Sequence, residues 1–236
     1  MEDNIKIFGV YFICCIENYL EIVKEQLLCL DKGLLNKTSK LIIFITKYDE
    51  GKCIELDNIL NSYNDKFILI KTPENLYEKY AINNYKKYIT ETQYYLYYFH
   101  TKGLKNINDP LINIFSSRRK LLNYYTLVQY NVNIKLIEDY DAIGCSLSLY
   151  PKKHFSGNFW WSKSSYLQHL ENINDNYLSP EMYILSNDNC KYISLANDTN
   201  NILIQDYIFP NENTIYNNLS TTFIVIEEHK KLINMC

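Results

Sequence analysis

The sequence predicts an α/β protein built on a mostly parallel central sheet flanked by helices. Three observations predict it. The first hundred residues alternate β-rich apolar runs with helical stripes, the signature of βαβ units. Leu41 to Thr46 is an unbroken run of the kind expected when helices cover both faces of the sheet. A chain of 236 residues, 47% hydrophobic and 22% charged, is also large enough for one substantial core.

In order, Lys6 to Cys15 reads as the first strand. Glu17 to Leu30 carries a helical stripe at Leu20, Val23, Leu27 and Leu30, and Asp31-Lys32-Gly33 supplies its stop signal. Leu41 to Thr46 is a second strand, Glu55 to Tyr63 a short helix, Lys66 to Ile70 a third strand, and Pro73 marks a turn. Leu76 to Thr90 reads as a Tyr-rich helix, and Tyr94 to Phe99 as a fourth strand delivering His100-Thr101-Lys102-Gly103 at its carboxyl end. Ligands of parallel sheets bind outside the carboxyl ends of the strands. The second part is less regular. Helices are expected over Ser116 to Tyr130, Ser164 to Leu170 and from Pro180 onward, with Ser179 as the cap of the last. Strands are expected over Tyr140 to Leu149 and Thr221 to Ile226, and Phe155 to Trp161 is a loop or strand entry. Without repeats or a long linker, residues 1–236 form a single predicted domain.

Composition excludes several classes. Gly and Pro number only 6 and 5, which rules out collagen-like and linker-rich architectures. A formal net charge of −3 argues against a general nucleic-acid binder, which needs a concentrated basic face. The acidic start, interrupted by Lys6, is not expected to be a signal peptide. No apolar run reaches the ~20 residues of a membrane span, so a cytoplasmic protein without an integral membrane segment is expected. The 7 cysteines show no Cys-x-x-Cys spacing and read as reduced, mostly buried thiols. Asn36-Lys37-Thr38 and Asn197-Asp198-Thr199 fit the glycosylation pattern, which has no meaning without secretion. The 23 tyrosines are the compositional oddity.

Four groups of residues carry chemistry. His100, Thr101, Lys102 and Gly103 place a metal or phosphate ligand, a point charge and a permissive backbone at a strand end; the plainer reading is an ordinary turn. In His154-Phe155-Ser156-Gly157-Asn158-Phe159-Trp160-Trp161, both tryptophans sit together after a Gly-Asn pair. Adjacent rings on an extended segment point to opposite faces, so one can enter the core while the other floors a sugar cavity, or both can be packing anchors. Arg118 and Arg119, the chain's two arginines, suit bidentate diphosphate binding or a solvated helix face. Asp139 and Asp141 alternate around Tyr140, as metal ligands or as strand-edge charges, and Glu181 stands near a helix start, where a carboxylate is also an ordinary dipole partner. Cys145, next to Gly144, has no base fixed beside it.

These residues resemble a group of small glycosyltransferases with a single, Rossmann-like GT-A domain, of the kind encoded in bacterial polysaccharide loci and by giant DNA viruses. The matching pieces are Tyr98-Phe99-His100-Thr101-Lys102-Gly103, the Arg118 region, Tyr140 to Cys145, His154 to Trp161, and Pro180-Glu181-Met182-Tyr183. The resemblance implies transfer of a sugar from a nucleotide-diphosphate-sugar donor to a glycan or sugar hydroxyl. Residues 1–103 would form the nucleotide-binding half and 104–236 the acceptor side. It implies Glu181 as general base with Asp141 second. His100, Thr101, Lys102, Gly103 and Arg118, with Arg119 as substitute, would serve the diphosphate. His154, Ser156, Gly157, Asn158, Trp160 and Trp161 would orient the sugars. The wider class ends its fourth strand in an Asp-x-Asp pair that carries Mn²⁺ or Mg²⁺. Here His100-Thr101-Lys102 stands in that place, so Lys102 neutralises the diphosphate directly or His100 is one ligand of an ion. The alternative to an enzyme is a non-catalytic carbohydrate-binding protein; a third reading is a nucleotide-dependent enzyme outside glycosyl transfer. A coding sequence rich in A and T, as in a giant virus, would explain the abundant Asn, Ile, Lys and Tyr.

Overall fold

The computed structural model describes residues 5–104, 108–174 and 176–196. The strand expected over Thr221 to Ile226 and the Asn197 sequon lie outside the described residues. Nine strands are described: β1 Lys6–Cys14, β2 Thr38–Thr46, β3 Phe67–Lys71, β4 Tyr94–His100, β5 Ala142–Gly144, β6 Leu147–Ser148, β7 His154–Phe155, β8 Trp160–Lys163 and β9 Tyr192–Ser194. The α-helices are α1 Tyr19–Asp31, α2 Leu34–Lys37, α3 Ile54–Asn61, α4 Tyr77–Asn84, α5 Ile112–Asn123, α6 Tyr130–Leu136, α7 Ser164–Leu167 and α8 Ser179–Tyr183. Among the described residues, no helix is long and apolar enough to cross a membrane.

Seven strands form one sheet in the order β3-β2-β1-β4-β8-β5-β9. β1, β2, β3 and β4 pair in parallel, β8 runs antiparallel between β4 and β5, and β9 is parallel to β5. The chain steps outward from β1 through β2 to β3, then returns to place β4 on the other side of β1. The crevice above the carboxyl ends of β1 and β4 is therefore the switch point of the sheet.

Period-two alternation divides the apolar residues between two faces. Ile7, Tyr11, Ile13, Tyr97, Phe99 and Trp161 face one layer, packed by Val23, Leu27 and Leu30 of α1 and Leu56 and Leu60 of α3. Phe8, Val10, Phe12, Leu96, Tyr98 and Trp160 face the other, packed by Ala81 and Ile82 of α4 and by Tyr183 of α8. The tryptophans join these layers as cross-strand aromatic pairs: Tyr97 stacks on Trp161 at 5.1 Å and Tyr98 on Trp160 at 5.3 Å between centroids.

The departures from the sequence reading have local causes. The strand expected over Tyr140 to Leu149 breaks because Ser146 takes a left-handed backbone, φ 58°. Leu147–Ser148 then leaves the main sheet and pairs with His154–Phe155. The helix expected over Ser116 to Tyr130 begins at Ile112 and opens into a π-helical segment, Tyr124–Val128. There the Trp161 indole donates to the Thr126 carbonyl at 2.8 Å and Asn133 donates to the Tyr125 carbonyl at 2.7 Å, so side chains replace helical partners. The helix expected over Leu76 to Thr90 stops its α-turns at Asn84 and tightens to a 3₁₀ turn, Tyr85–Tyr88. Ser179 is not the cap of α8: Leu178 occupies that position, and the Ser179 hydroxyl bonds Asn174. Pro180 lies in the first turn as expected.

Gly9 in the middle of β1 is fixed by close approach. A Cβ there would stand 2.4 Å from the ring of Tyr97 and 2.5 Å from Leu41. The Tyr97 hydroxyl meets the Thr38 hydroxyl at 3.0 Å, which prevents the ring from swinging aside. Gly9→Ala is expected to destabilise the fold by about 1–3 kcal/mol through overpacking, read as a lower denaturant midpoint with an unchanged m-value.

Candidate functional site

The site is assembled at the carboxyl edge of β4. The strand delivers His100 there, and the chain turns through Gly103, whose φ of 79° favours glycine. Below this turn lies a buried polar network. Arg119, 5% exposed, forks onto Glu25 with Nε to Oε1 at 3.1 Å and Nη2 to Oε2 at 2.9 Å. Its Nη1 donates to the Lys102 carbonyl at 3.1 Å. Gln26, fully buried, donates to the His100 carbonyl at 2.9 Å and to Asn123 Oδ1 at 3.1 Å, and accepts from the Tyr11 hydroxyl at 2.7 Å. Asn123 donates to Glu25 at 2.8 Å. Helices α1 and α5 thus grip two carbonyls of the strand exit. Thr101, between them, ties the same turn to β1. Its N–H bonds the Phe12 carbonyl at 3.0 Å and its hydroxyl accepts from the Cys14 N–H at 3.2 Å.

Above the turn, charged side chains converge. Glu78, in the first turn of α4, places Oε2 at 3.0 Å from His100 Nδ1. The same oxygen accepts from the Tyr98 hydroxyl at 3.0 Å and from Asn158 Nδ2 at 2.7 Å. Burial works to raise the Glu78 carboxyl, but the His100 charge, then Lys102 and the Asn158 amide, outweigh it and bring it down to about 2. Glu181, in the first turn of α8, accepts from Lys102 Nζ at 3.4 Å and from the Gly157 N–H at 3.2 Å. Burial again opposes ionisation, and Lys102, His154 and the Gly157 N–H together hold the carboxyl below its ordinary value despite repulsion from Glu78.

Gly157 and Asn158 set this geometry through their backbones. Both are left-handed, with φ of 101° and 55°, and Asn tolerates that region better than most residues. The turned Asn158 is fully buried; its amide nitrogen holds Glu78 and its oxygen accepts from the Trp160 indole at 3.0 Å.

Of the residues singled out by sequence, the structure brings together His100, Lys102, Gly157, Asn158, Glu181 and His154, the last 5% exposed with Nδ1 at 2.7 Å from the Lys152 carbonyl. Arg118 flanks them by donating to the Ser156 hydroxyl, next to Gly157. Other residues stand elsewhere. Asp141 precedes β5 at the opposite, amino end of the parallel strands, where it accepts from the Lys191 N–H at 2.9 Å and pairs with Lys163 at 3.3 Å. Asp139 is exposed in the turn before it. Trp160 and Trp161 are each 1% exposed, so neither floors an open cavity: an antiparallel strand between two covered layers buries both faces. Arg119 and Thr101 position the turn from below. Sequence reasoning missed Glu78, read as part of an ordinary Tyr-rich helix; its signal was an acid at the start of a helix that follows a parallel strand.

Among the described residues, no three His, Cys, Asp or Glu side chains are arranged to hold a metal ion. The charge of Lys102 already acts on both Glu78 and Glu181.

A mostly parallel sheet with helices on both faces and a charged cluster at its carboxyl edge defines an α/β protein of the GT-A-like, Rossmann-related class. The chain belongs to the family described as Domain of unknown function (DUF8361), whose model matches residues 15–201. No curated protein matches the sequence. Among solved structures it is similar in fold to the mannosyltransferase PcManGT from Pyrobaculum calidifontis, determined in complex with GDP-Man and Mn²⁺ (TM-score 0.50, 11% identity, covering 80% of this chain and 55% of that one). The chain therefore spans about half the length of that enzyme. HddC from Yersinia pseudotuberculosis matches with a TM-score of 0.47 and 15% identity over 80% of this chain and 90% of that one. The 4-diphosphocytidyl-2C-methyl-D-erythritol synthase from Anaerococcus prevotii matches at 0.47 and 9%, over 84% and 91%.

Two outcomes follow from this geometry. Arg119→Met leaves Glu25 uncompensated and frees the Lys102 carbonyl, with an expected loss of about 3 kcal/mol in chemical denaturation; Arg118→Met, on the rim, is expected to cost under about 1 kcal/mol. Because the Glu78 carboxyl is lowered by folding, its contribution to stability is complete above about pH 4.5 and is lost as pH falls toward about 2. Glu78→Gln is expected to flatten the acid limb of the stability curve in that window.

Proposed function

We propose that this chain is a glycosyltransferase that moves a sugar from a nucleotide-diphosphate-sugar donor to a hydroxyl of a glycan or sugar acceptor. The observation that carries the reading is the Lys102–Glu181 pair at 3.4 Å, a cation and a half-buried carboxylate side by side above the switch point of the sheet. The donor would lie across the carboxyl edge, on the 1–103 side, with its diphosphate against Lys102 and His100 and within reach of Arg118. Fixed positive charge there stabilises the leaving diphosphate as its bond to the anomeric carbon breaks. The acceptor would approach from the 104–236 side. Its hydroxyl gives a proton to Glu181, its oxygen bonds the anomeric carbon, and the diphosphate departs with the electron pair. Lys102 fills the role that a divalent ion holds in Asp-x-Asp enzymes, and no step here is routed through a metal. The likeness in fold to a GDP-Man-binding mannosyltransferase supports the same donor class.

Glu78 serves as a positioning residue. One of its oxygens, Oε2, accepts from Asn158 and Tyr98 and stands 3.0 Å from His100 Nδ1, which places the imidazole and the Gly157-Asn158 turn against the same carboxylate.

The test is binding to a panel of nucleotide sugars, followed by release of nucleoside diphosphate with and without candidate acceptors. Turnover is expected to persist in the presence of a chelator; its complete loss would require a bound cation. Glu181→Gln is expected to lower turnover about 10²–10⁴-fold while leaving donor affinity unchanged. Equal turnover in that variant removes Glu181 from the chemistry. Because Glu181 is held below its ordinary value, the acid limb of turnover is expected below pH 4.5. Lys102→Met removes the leading cause of that depression and is expected to move the limb to higher pH as well as weaken donor binding. Sugar binding without any nucleotide-sugar binding would favour a non-catalytic carbohydrate-binding protein.

A further inference from the structure

Since both tryptophans are consumed by the core, any aromatic surface for a sugar has to come from other residues. The exposed aromatics nearest the site carboxylates in sequence are Tyr77, 55% exposed, and Tyr177, 84% exposed, with Leu178 beside the latter at 41%. Tyr77 directly precedes Glu78, and Tyr177 stands four residues before Glu181. The helices that they introduce, α4 and α8, pack against each other.

The helix starts that carry the two tyrosines meet one turn: Glu78 accepts from Asn158 at 2.7 Å, and Glu181 accepts from the adjoining Gly157 N–H at 3.2 Å. Asn83, near the end of α4, binds the backbone of Ile173 twice, donating to its carbonyl at 3.0 Å and accepting from its N–H at 2.9 Å. From that anchor the chain continues to the start of α8, whose first turn holds Glu181 against the Gly157 N–H. Tyr77 also carries a strained backbone, φ 54°, at a position where a non-glycine, non-Asn residue is uncommon. An exposed ring held on a strained backbone next to a site carboxylate is a candidate for function rather than packing.

We infer that Tyr77 and Tyr177 form an aromatic platform for a pyranose ring of the acceptor, at the mouth of the Glu78–Lys102–Glu181 cluster. The chemistry on the page selects this occupant. Exposed phenol faces suit the apolar C–H face of a pyranose, phenol hydroxyls and the adjacent carboxylates suit its hydroxyl rim, and Glu181 is placed to receive the proton of the hydroxyl that reacts. The platform rests on the glycosyl-transfer reading only for the identity of its occupant as acceptor. As a saccharide-binding surface it stands separately.

Ligand-observed saturation-transfer NMR with the methyl pyranosides of glucose, galactose and mannose tests it on the intact chain. Wild type is expected to transfer saturation to the ring C–H protons of at least one pyranoside. The double variant Tyr77→Asn, Tyr177→Ala, in which Asn suits the left-handed backbone, is expected to weaken that binding about five- to hundredfold, from the usual worth of two aromatic contacts. Nucleoside diphosphate affinity is expected to remain within about twofold of wild type, which shows that the variant is folded and its donor site intact. Absence of transfer from wild type to any of the three sugars, or undiminished transfer in the double variant, overturns the platform. If wild type binds pyranosides through these tyrosines yet binds no nucleotide sugar, the platform stands and the glycosyl-transfer reading fails. If donor turnover proceeds while the tyrosine variant keeps the acceptor KM of wild type, the platform alone fails.

Discussion

Arginine and glutamate placed beneath a sheet edge lose much of their hydration, and in this protein they recover it through each other and through the backbone of a single turn. The Arg119–Glu25 fork, with Asn123 and Gln26 completing its hydrogen bonds, holds the carbonyls of His100 and Lys102 from below. An ion pair of this kind contributes little net stability, because desolvation offsets most of its Coulomb energy. Its value lies in direction. A planar guanidinium can satisfy Glu25 and the Lys102 carbonyl together in few orientations, so the turn after β4 is fixed, and with it the side chains that rise from the turn.

A second layer of charge depends on that floor. Glu78 and Glu181 would repel each other in an otherwise empty cleft. They coexist as carboxylates because Lys102 acts on both, His100 lies against one and the Gly157 N–H against the other. The arrangement keeps a cation and a carboxylate together in the same half-buried space. It also explains why three strand-distant segments share one environment: α4 brings Glu78, the β7–β8 turn brings Gly157 and Asn158, and α8 brings Glu181.

The aromatic residues divide by the same logic of burial. Trp160 and Trp161 lie on a strand whose two faces are both covered, and cross-strand stacking on Tyr98 and Tyr97 consumes their faces. The indole of Trp160 is tied to Asn158, so one of these packing residues also helps to aim the amide that holds Glu78. The exposed aromatic side chains nearest the carboxylates in sequence, Tyr77 and Tyr177, stand at or just before helix starts, where their hydroxyls tolerate water.

The sequence alone determined the α/β class, because alternation of unbroken apolar runs with helical stripes is a local pattern. It also determined that His100 and Lys102 stand at the carboxyl end of a parallel strand, and it singled out the Gly157-Asn158 pair and Glu181, since strand ends, Gly-Asn pairs and first-turn acids are legible over a few residues. What only the tertiary structure decided depends on which segments meet. Glu78 gains meaning only once the turn before β8 delivers Asn158 to it. Arg119 and Arg118 are neighbours in sequence, yet helix phase sends one into the interior and leaves the other beside Ser156. Asp141 stands at the amino end of the sheet because β5, which it precedes, runs in the same direction as β4, with the antiparallel β8 inserted between them. Strand order and direction are long-range choices, made by burial of both sheet faces at once, and no window of local sequence encodes them.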